Sequence, residues 1–233
     1  MRTPLKVAYS GRTYCLDPSP VCGLSTKTVN TLVFDWPWLD ADTIPEVDQS
    51  LRLPLRTSRL KLRALGDADA AAHERLFSNP DVVRYLYDEA LTDDAARRHL
   101  SLRHWKGLTN EGGWANLAVD FGGQLIGEVG VSLVSRVHRT CEIGYVFLPE
   151  AGGQGLATEA ARVAVDIAMT FHDALRVVAR LDARNSSSAQ LLERLGFRRE
   201  AHFHRNEFVK GEWTDELVYA ILADEWTVTT KFD

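Results

Sequence analysis

One segment of the chain, from Glu142 to Ala161, limits the possible folds more than any other. Its sequence is EIGYVFLPEAGGQGLATEAA. The first residues are apolar enough for a buried strand, and Pro149 ends that strand. A cluster of glycines follows at Gly152, Gly153 and Gly155. Apolar residues then recur at helical spacing, namely Leu156, Ala160, Val163, Ile167 and Phe171.

A glycine-rich loop that opens directly into a helix is a typical anion site. The first N–H groups of a helix have no intrahelical acceptor, and the helix dipole favours negative charge there. Glycine lets the backbone approach a phosphate because it has no Cβ. The loop lacks the lysine of a P-loop, and Thr158 occupies the third glycine position of the dinucleotide pattern G-x-G-x-x-G/A. A plain connecting turn is the alternative interpretation.

Composition and charge limit the classes of ligand. The chain has 233 residues, which suits one large domain or one domain with an extension. Its formal net charge is −5, from 27 basic and 32 acidic side chains. This balance argues against nucleic acid as the main ligand and fits a cationic or amine substrate.

Targeting features and cysteines indicate the compartment. No apolar run approaches the ~18–20 residues of a membrane span, and the start MRTPLKVAYSG has no apolar signal-peptide core. Cys15, Cys22 and Cys141 show no CxxC spacing, so we expect reduced thiols. The sequence therefore predicts a cytoplasmic protein that neither enters a membrane nor binds nucleic acid.

Residues 1–57 differ in texture from the rest of the chain. They contain six of the eight prolines and show poor periodicity, although Thr28 to Phe34 could form one strand. Trp36 and Trp38 flank a proline, and we expect them to gain most by packing onto another surface. The segment is too short and too rich in proline to bury much apolar surface by itself. We therefore predict an N-terminal extension over 1–57 and one folded domain over 58–233.

Regular elements are predicted from Thr57 onward. The predicted strands cover residues 60–64, 114–121, 124–135, 142–148, 175–181, 198–209 and 212–222, and the predicted helices cover 67–77, 93–105, 156–171 and 185–195. Gly122-Gly123 and Lys210-Gly211 mark hairpin turns. This order predicts a mixed α/β fold whose sheet is largely antiparallel.

Four segments in this order resemble a known family. They are LRTSRLKLRAL, EIGYVFLPEAGGQGLATEA, LDARNSSSAQLLERLGFRREA and VKGEWTDELVYAI. Together they resemble the GCN5-related N-acetyltransferases (GNAT), and within them the ribosomal-protein-alanine (RimJ/RimL-like) branch. The resemblance covers about residues 56–226 and leaves the N-terminal extension outside.

The resemblance implies the GNAT acyl-CoA N-acyltransferase fold, in which central parallel strands splay apart around acetyl-CoA. The pyrophosphate would lie on the glycine loop, and the pantetheine arm would bond the strand main chain as an added strand. The implied cofactor-binding residues are Val146, Phe147, Leu148, Gly152, Gly153, Gln154, Gly155, Leu156, Ala157, Thr158, Asn185 and Ser188. Gly152 stands where the family usually has Arg or Gln, a departure that backbone-mediated binding should tolerate.

Three residues receive implied catalytic roles. Glu142 is the candidate general base, acting through water, and its alternative is a salt-bridged strand glutamate. The N–H of Val146 is the candidate oxyanion donor. The family's usual tyrosine is replaced by Leu192, so Ser188 is the candidate acid, with simple helix capping by Asn185 and the serines as the alternative.

Other residues carry weaker expectations. His202 and His204 share a strand face but are too few for a metal site, so no metal is predicted. Tyr145 is interpreted as a core residue. Residues that we expect near the acceptor groove or on the substrate side are Trp105, Glu111, Trp114, Glu212, Trp213 and Asp215, with structural packing favoured for Trp213.

The resulting function is an N-acetyltransferase that moves acetyl from acetyl-CoA to a primary amine by direct attack in a ternary complex. The acceptor is either a protein N-terminal α-amine or a small-molecule amine. One alternative is an acyl-CoA-binding sensor or interaction module without turnover. Another is a transferase with a longer donor such as succinyl-CoA. The family also makes a homodimer possible.

Overall fold

The computed structural model describes residues 51–103, 107–108 and 111–232, and the backbone of two short strands nearer the N-terminus. The chain divides into two compact units, Met1–Pro45 and Glu46–Asp233. In the first unit, β1 (Leu5–Tyr9) pairs antiparallel with β2 (Arg12–Leu16). The possible strand at residues 28–34 and the two tryptophans after it lie outside the described residues. The boundary at residue 57 stays a prediction.

The second unit contains eight strands and five α-helices within the described residues. The strands are β3 (Leu55–Arg56), β4 (Leu60–Ala64), β5 (Trp114–Phe121), β6 (Gln124–Ser135), β7 (Thr140–Phe147), β8 (Arg176–Asp182), β9 (Arg198–Val209) and β10 (Glu212–Leu222). The helices are α1 (Ala70–Phe77), α2 (Pro80–Val83), α3 (Asp93–Arg103), α4 (Leu156–Phe171) and α5 (Ser186–Arg194). None of these helices is long and apolar enough to cross a membrane.

The predicted mixed sheet is confirmed. Its strand order is β3-β4-β5-β6-β7-β8-β10-β9, and every neighbouring pair is antiparallel except β7 and β8. The parallel pairing runs only from Thr140 opposite Arg176 to Glu142 opposite Val178. Both strands continue beyond that point, to Phe147 and Asp182, without pairing with each other. The central parallel strands therefore splay apart, as the family resemblance implied.

Side chains alternate between the two faces along each strand, so both faces of the sheet carry apolar residues. Helices pack on both faces. Ile143 of β7 is buried in one cluster with Leu156 of α4. Val146, on the opposite face of β7, packs against a second cluster that includes Leu76 of α1 and Leu100 of α3. Full burial of one such leucine stabilises the fold by roughly 1.5–3 kcal/mol.

One predicted helix start differs in detail from the structure. Asp67 begins a 3-10 turn over Asp67–Asp69, and the α-helix starts only at Ala70. Asn79 and Pro80 follow the end of α1 and begin the short helix α2, because Asn79 accepts the N–H of Asp81 as an N-cap. Proline at the first helical position lacks only an N–H that would have no intrahelical acceptor.

Asp166 of α4 anchors the segment that follows β10. Its carboxylate is fully buried and accepts Nε1–H of Trp226 at 2.7 Å. It also accepts the backbone N–H of Thr230 at 2.8 Å and the hydroxyl of Thr230 at 2.6 Å. Hydrogen bonds to a buried charged group are the strong ones, so this single carboxylate holds the C-terminal segment on the core.

We predict that Asp166→Ala lowers the free energy of unfolding by about 2–4 kcal/mol, because several buried donors lose their shared acceptor. Denaturant unfolding measures this loss. Trp226→Phe removes one of the donors and should cost less than Asp166→Ala. Asp224→Ala, an exposed carboxylate in the same part of the chain, is the control, with an expected change within about 0.5 kcal/mol. Equal stability of Asp166→Ala and the control would contradict the anchor.

Candidate active site

The separation of β7 and β8 opens a cavity of about 560 Å³. Its walls include residues 142–146 of β7, which begin at the last parallel pair, and residues 179–182 of β8, which follow it. Asn185 and Ser188 line it from the start of α5. The cavity thus lies where the family resemblance places the reacting groups.

The glycine loop lies at the end of the same strand. After Phe147 the chain makes a 3-10 turn, and α4 begins at Leu156. Gly153 and Gly155 have φ of +73° and +74°, in the left-handed region that glycine adopts without strain. Gly155 is the N-cap, so the N–H groups of the first turn of α4 point into the loop without intrahelical acceptors. This geometry favours an anion.

A cation that the sequence analysis missed borders this loop. Arg59 donates from Nη1 to the carbonyl oxygen of Gln154 at 2.8 Å and pairs with Glu159 at 2.6 Å. Glu159 also accepts from Thr57 at 2.5 Å and Ser58 at 3.0 Å. Burial raises the pKa of Glu159, but these hydrogen bonds outweigh it and leave the pKa below its ordinary value. The Arg59 guanidinium is therefore held beside the loop where Gly152 replaces the family's Arg or Gln.

Glu142 is the last residue of β7 that pairs with β8, so it lies where the gap between the two strands begins. Its Oε2 lies 3.9 Å from Nε of Arg180, and its side chain is 22% exposed. Arg180 also faces Glu216 of β10 at 3.5 Å. The salt-bridged alternative and the base alternative are thus compatible, since the carboxylate that meets Arg180 also lines the cavity.

Hydrogen bonds alternate along the pairing of β6 with β7, and this alternation determines which backbone N–H groups of β7 face the cavity. Leu148 donates its N–H to Ile126 of β6 at 2.9 Å. Val146 lies two residues earlier, opposite Glu128, and hydrogen-bonded pairs alternate along an antiparallel ladder. The N–H groups of Val146 and Leu148 therefore both point toward β6.

The alternate residues of β7 direct their backbone groups toward β8. Because the even-numbered positions of β7 bond to β6, the odd-numbered positions point to β8, with which Cys141 is paired opposite Val177. No register shift interrupts the ladder from residue 141 to residue 147 of β7, since the one shift lies between Leu133 and Ser135 of β6. Tyr145 and Phe147 consequently present their N–H groups to the opening. This corrects the expectation for Val146 as oxyanion donor and for Leu148 as a main-chain partner, whereas Phe147 keeps its expected place.

Ser188 and Tyr145 meet at the cavity wall. The two hydroxyl oxygens lie 2.7 Å apart, and both residues line the cavity. Burial raises the pKa of the Tyr145 phenol to about 12, with Ser188 acting in the opposite direction. The ring packs on the core as predicted, but the hydroxyl supplies a protonated group that the interpretation of Tyr145 as purely structural had missed.

Asn185 caps α5 by accepting the N–H of Ser188 at 3.0 Å. This confirms the capping alternative for Asn185. Because the cap fixes the first turn of the helix, it also fixes the position of the Ser188 hydroxyl beside Tyr145.

A buried polar chain that sequence reasoning did not find crosses the other face of the sheet. Arg103 donates from Nε to Nε2 of His99 at 3.0 Å, and Nδ1 of His99 lies 3.0 Å from Nε2 of His73. Nδ1 of His73 contacts Oε1 of Glu128 at 2.6 Å. Since arginine only donates, both histidines take the tautomer with the proton on Nδ1, and the chain ends on the carboxylate. Burial, aided by Arg103, lowers the pKa of His99 to about 4.

The residues that we expected near the acceptor lie in different parts of the structure. Trp114 lines the cavity. Trp105 lies outside the described residues. Glu111 instead accepts the backbone N–H of Arg136 and is not part of the cavity wall. Trp213 is 61% exposed and packs on Phe208, with ring centroids 5.4 Å apart.

The two histidines of β9 gain a third neighbour from β10. Nε2 of His202 and Nδ1 of His204 contact the same carboxylate oxygen of Asp215, at 2.9 and 2.7 Å. The three potential ligand atoms lie within 4.8 Å of one another. Glu212, also expected on the substrate side, pairs with Arg184 at 2.6 Å and does not line the cavity.

Comparison with known proteins agrees with this geometry. The family described as the acetyltransferase (GNAT) domain matches residues 59–198, more than half of the chain. Spermidine N(1)-acetyltransferase of Escherichia coli K12 is 25% identical over 172 residues, covering 74% of this chain and 90% of its own. The [ribosomal protein uS5]-alanine N-acetyltransferase of the same organism is 28% identical over 192 residues, covering 76% of this chain and 94% of its own.

A solved structure gives the same result for the fold. A GNAT-family acetyltransferase from Bacillus anthracis superposes with a TM-score of 0.65 at 28% identity, over 74% of this chain and 100% of the other. The relatives include more than one acceptor type, so they support the ribosomal branch no more than the spermidine enzymes. The matched family, the splayed strands and the glycine loop together place this chain in the GNAT family as an acetyl-CoA-dependent N-acetyltransferase.

Proposed function

We propose that this enzyme transfers acetyl from acetyl-CoA to a primary amine by direct attack within a ternary complex. One observation carries the proposal: the parallel pairing of β7 and β8 stops at Glu142, and the strand that borders the gap leads into an anion-binding helix start. Acetyl-CoA fits this arrangement because it has a pyrophosphate at one end and a thioester at the other.

The pyrophosphate binds the loop from Gly152 through Thr158, and the Arg59 guanidinium, paired with Glu159, lies beside it. The pantetheine arm runs back along β7 toward Glu142 and bonds the main chain of Phe147, as an added strand would. The thioester then lies near Tyr145, whose N–H faces the gap and replaces Val146 as the proposed oxyanion donor.

Glu142 acts as the base through a bridging water. It lies three residues before Tyr145, or roughly 10 Å along the strand. This distance is too long for direct proton transfer from an amine at the thioester. Its Oε2 lies 3.9 Å from Nε of Arg180 at the edge of the gap. The amine loses a proton to this water, and its nitrogen forms the new bond to the carbonyl carbon.

Ser188 and Tyr145 serve the leaving group. When the tetrahedral intermediate collapses, the carbon–sulfur bond breaks and the sulfur takes a proton from Ser188. Tyr145, 2.7 Å from that hydroxyl, replaces the proton from its phenol, which Glu142 and water later restore. Tyr145 thus takes the place of the family tyrosine whose helical position holds Leu192 here.

Glu142→Gln should lower kcat by about 10²–10³-fold, because a neutral amide cannot accept the proton. Acetyl-CoA affinity should stay within threefold, since the proposed cofactor contacts are elsewhere. Steady-state kinetics with a primary amine and calorimetry with acetyl-CoA measure the two quantities. Glu200→Gln, a surface carboxylate outside the cavity, is the matched control. Unchanged kcat in Glu142→Gln would remove the base assignment.

Tyr145→Phe and Ser188→Ala should each lower kcat by roughly tenfold or more, and the double variant should lose little more than either. The effects overlap because the two hydroxyls act on one proton path. A double-mutant cycle on kcat measures this coupling. Tyr219→Phe removes a comparable hydroxyl that bonds Glu193 at 2.9 Å outside the cavity, and it serves as the control. Fully additive losses would show that the hydroxyls act independently.

A further inference from the structure

The acceptor side of the cavity has an indole at its floor. Gly130 of β6 and Gly144 of β7 lie opposite each other in the ladder. A Cβ added to Gly144 would lie 3.2 Å from the benzene ring of Trp114, and one added to Gly130 would lie 3.0 Å from it. The Trp114 ring therefore rests directly on the backbone of two adjacent strands, in space that the two glycines leave open.

This position is the one that an attacking amine must pass. Gly144 lies between Glu142, the proposed base, and Tyr145, the proposed oxyanion donor. Trp114 is 43% exposed, although its ring rests against the sheet. The exposed part of the indole therefore borders the space in which the acceptor meets the thioester.

Aromatic and apolar side chains line the cavity together with Trp114. Tyr87 is 58% exposed and Leu102 is 75% exposed, and both line the cavity. Tyr85 and Phe77 line the same cavity. Exposed apolar residues that gather around one concave site mark a surface for an apolar ligand.

Most carboxylates that line the cavity have a cationic side chain beside them. Among the described lining residues the carboxylates are Asp88, Glu128, Glu142 and Asp182. Glu128 lies 3.3 Å from Arg103, Glu142 lies 3.9 Å from Arg180, and Asp182 lies 2.7 Å from Arg184. Asp88, at the rim, is 55% exposed and lies 4.0 Å from His99. Three of the four carboxylates thus have an arginine neighbour, although Arg180 is shared with Glu216 and Arg184 with Glu212.

Resting on the proposed function, we propose that the acceptor is a small primary amine with one positive charge on an aromatic or other flat apolar body, which stacks on Trp114. A polyamine gains less from this site, because its remote ammonium groups would lie against the exposed apolar side chains of Tyr87 and Leu102. The indole also attracts the ammonium group before deprotonation. The cavity volume is that of a small-molecule site.

Steady-state kinetics with four acceptors test this inference: 2-phenylethylamine, propylamine, spermidine and a short peptide with a free N-terminal alanine. We expect kcat/KM for 2-phenylethylamine to exceed that for spermidine at least tenfold. Trp114→Ala should raise KM for 2-phenylethylamine at least tenfold and KM for propylamine less than threefold. Leu102→Gln, at an exposed position with little risk for folding, should move KM in the same direction by a smaller factor.

Trp213→Ala is the control, because this exposed tryptophan does not line the cavity. A preference for spermidine, or an equal change of KM for both monoamines in Trp114→Ala, would overturn the inference. Preference for the peptide would overturn its small-molecule part. A thermal-shift titration with acetyl-CoA, run on each variant, separates this failure from that of the proposed function, since the latter would also abolish the shift in the unmodified protein.

Discussion

The architecture depends on one interruption, the end of parallel pairing between β7 and β8 after Glu142. Both strands continue, so their facing backbone groups and the side chains above them border a gap rather than a ladder. A strand edge buried inside a domain has unmet hydrogen-bonding capacity, and an extended ligand with amide groups can satisfy it. The glycine loop lies at the end of the same strand and provides for the ligand's phosphates.

Strand β7 directs its backbone groups and side chains to different sides of the gap. Backbone groups alternate between β6 and β8, and only one phase, that of Tyr145 and Phe147, faces the gap. Side chains alternate between the sheet faces, so Glu142 and Gly144 face the acceptor side and Tyr145 faces α5. The base, the acceptor floor and the acid pair are therefore separated by strand geometry alone.

The sequence predicted much of this, and its errors have a common cause. Local patterns located the strands, the two hairpins and the glycine loop, since these depend on neighbours along the chain. The contacts of Arg59 with Glu159 and of Tyr145 with Ser188 join residues far apart in sequence, so no local pattern contains them. The roles of Val146 and Leu148 were misassigned because the direction of a backbone N–H depends on ladder phase, which pairing fixes and composition does not.

The most direct test is a crystal structure of the complex with acetyl-CoA. We expect the pyrophosphate to lie on the first turn of α4 and the pantetheine alongside β7. The thioester oxygen should lie within hydrogen-bond distance of the Tyr145 N–H, and the sulfur near Ser188. Acetyl-CoA bound outside the gap, or a thioester oxygen directed away from the Tyr145 N–H, would contradict the assignment of the splayed strands as the catalytic centre.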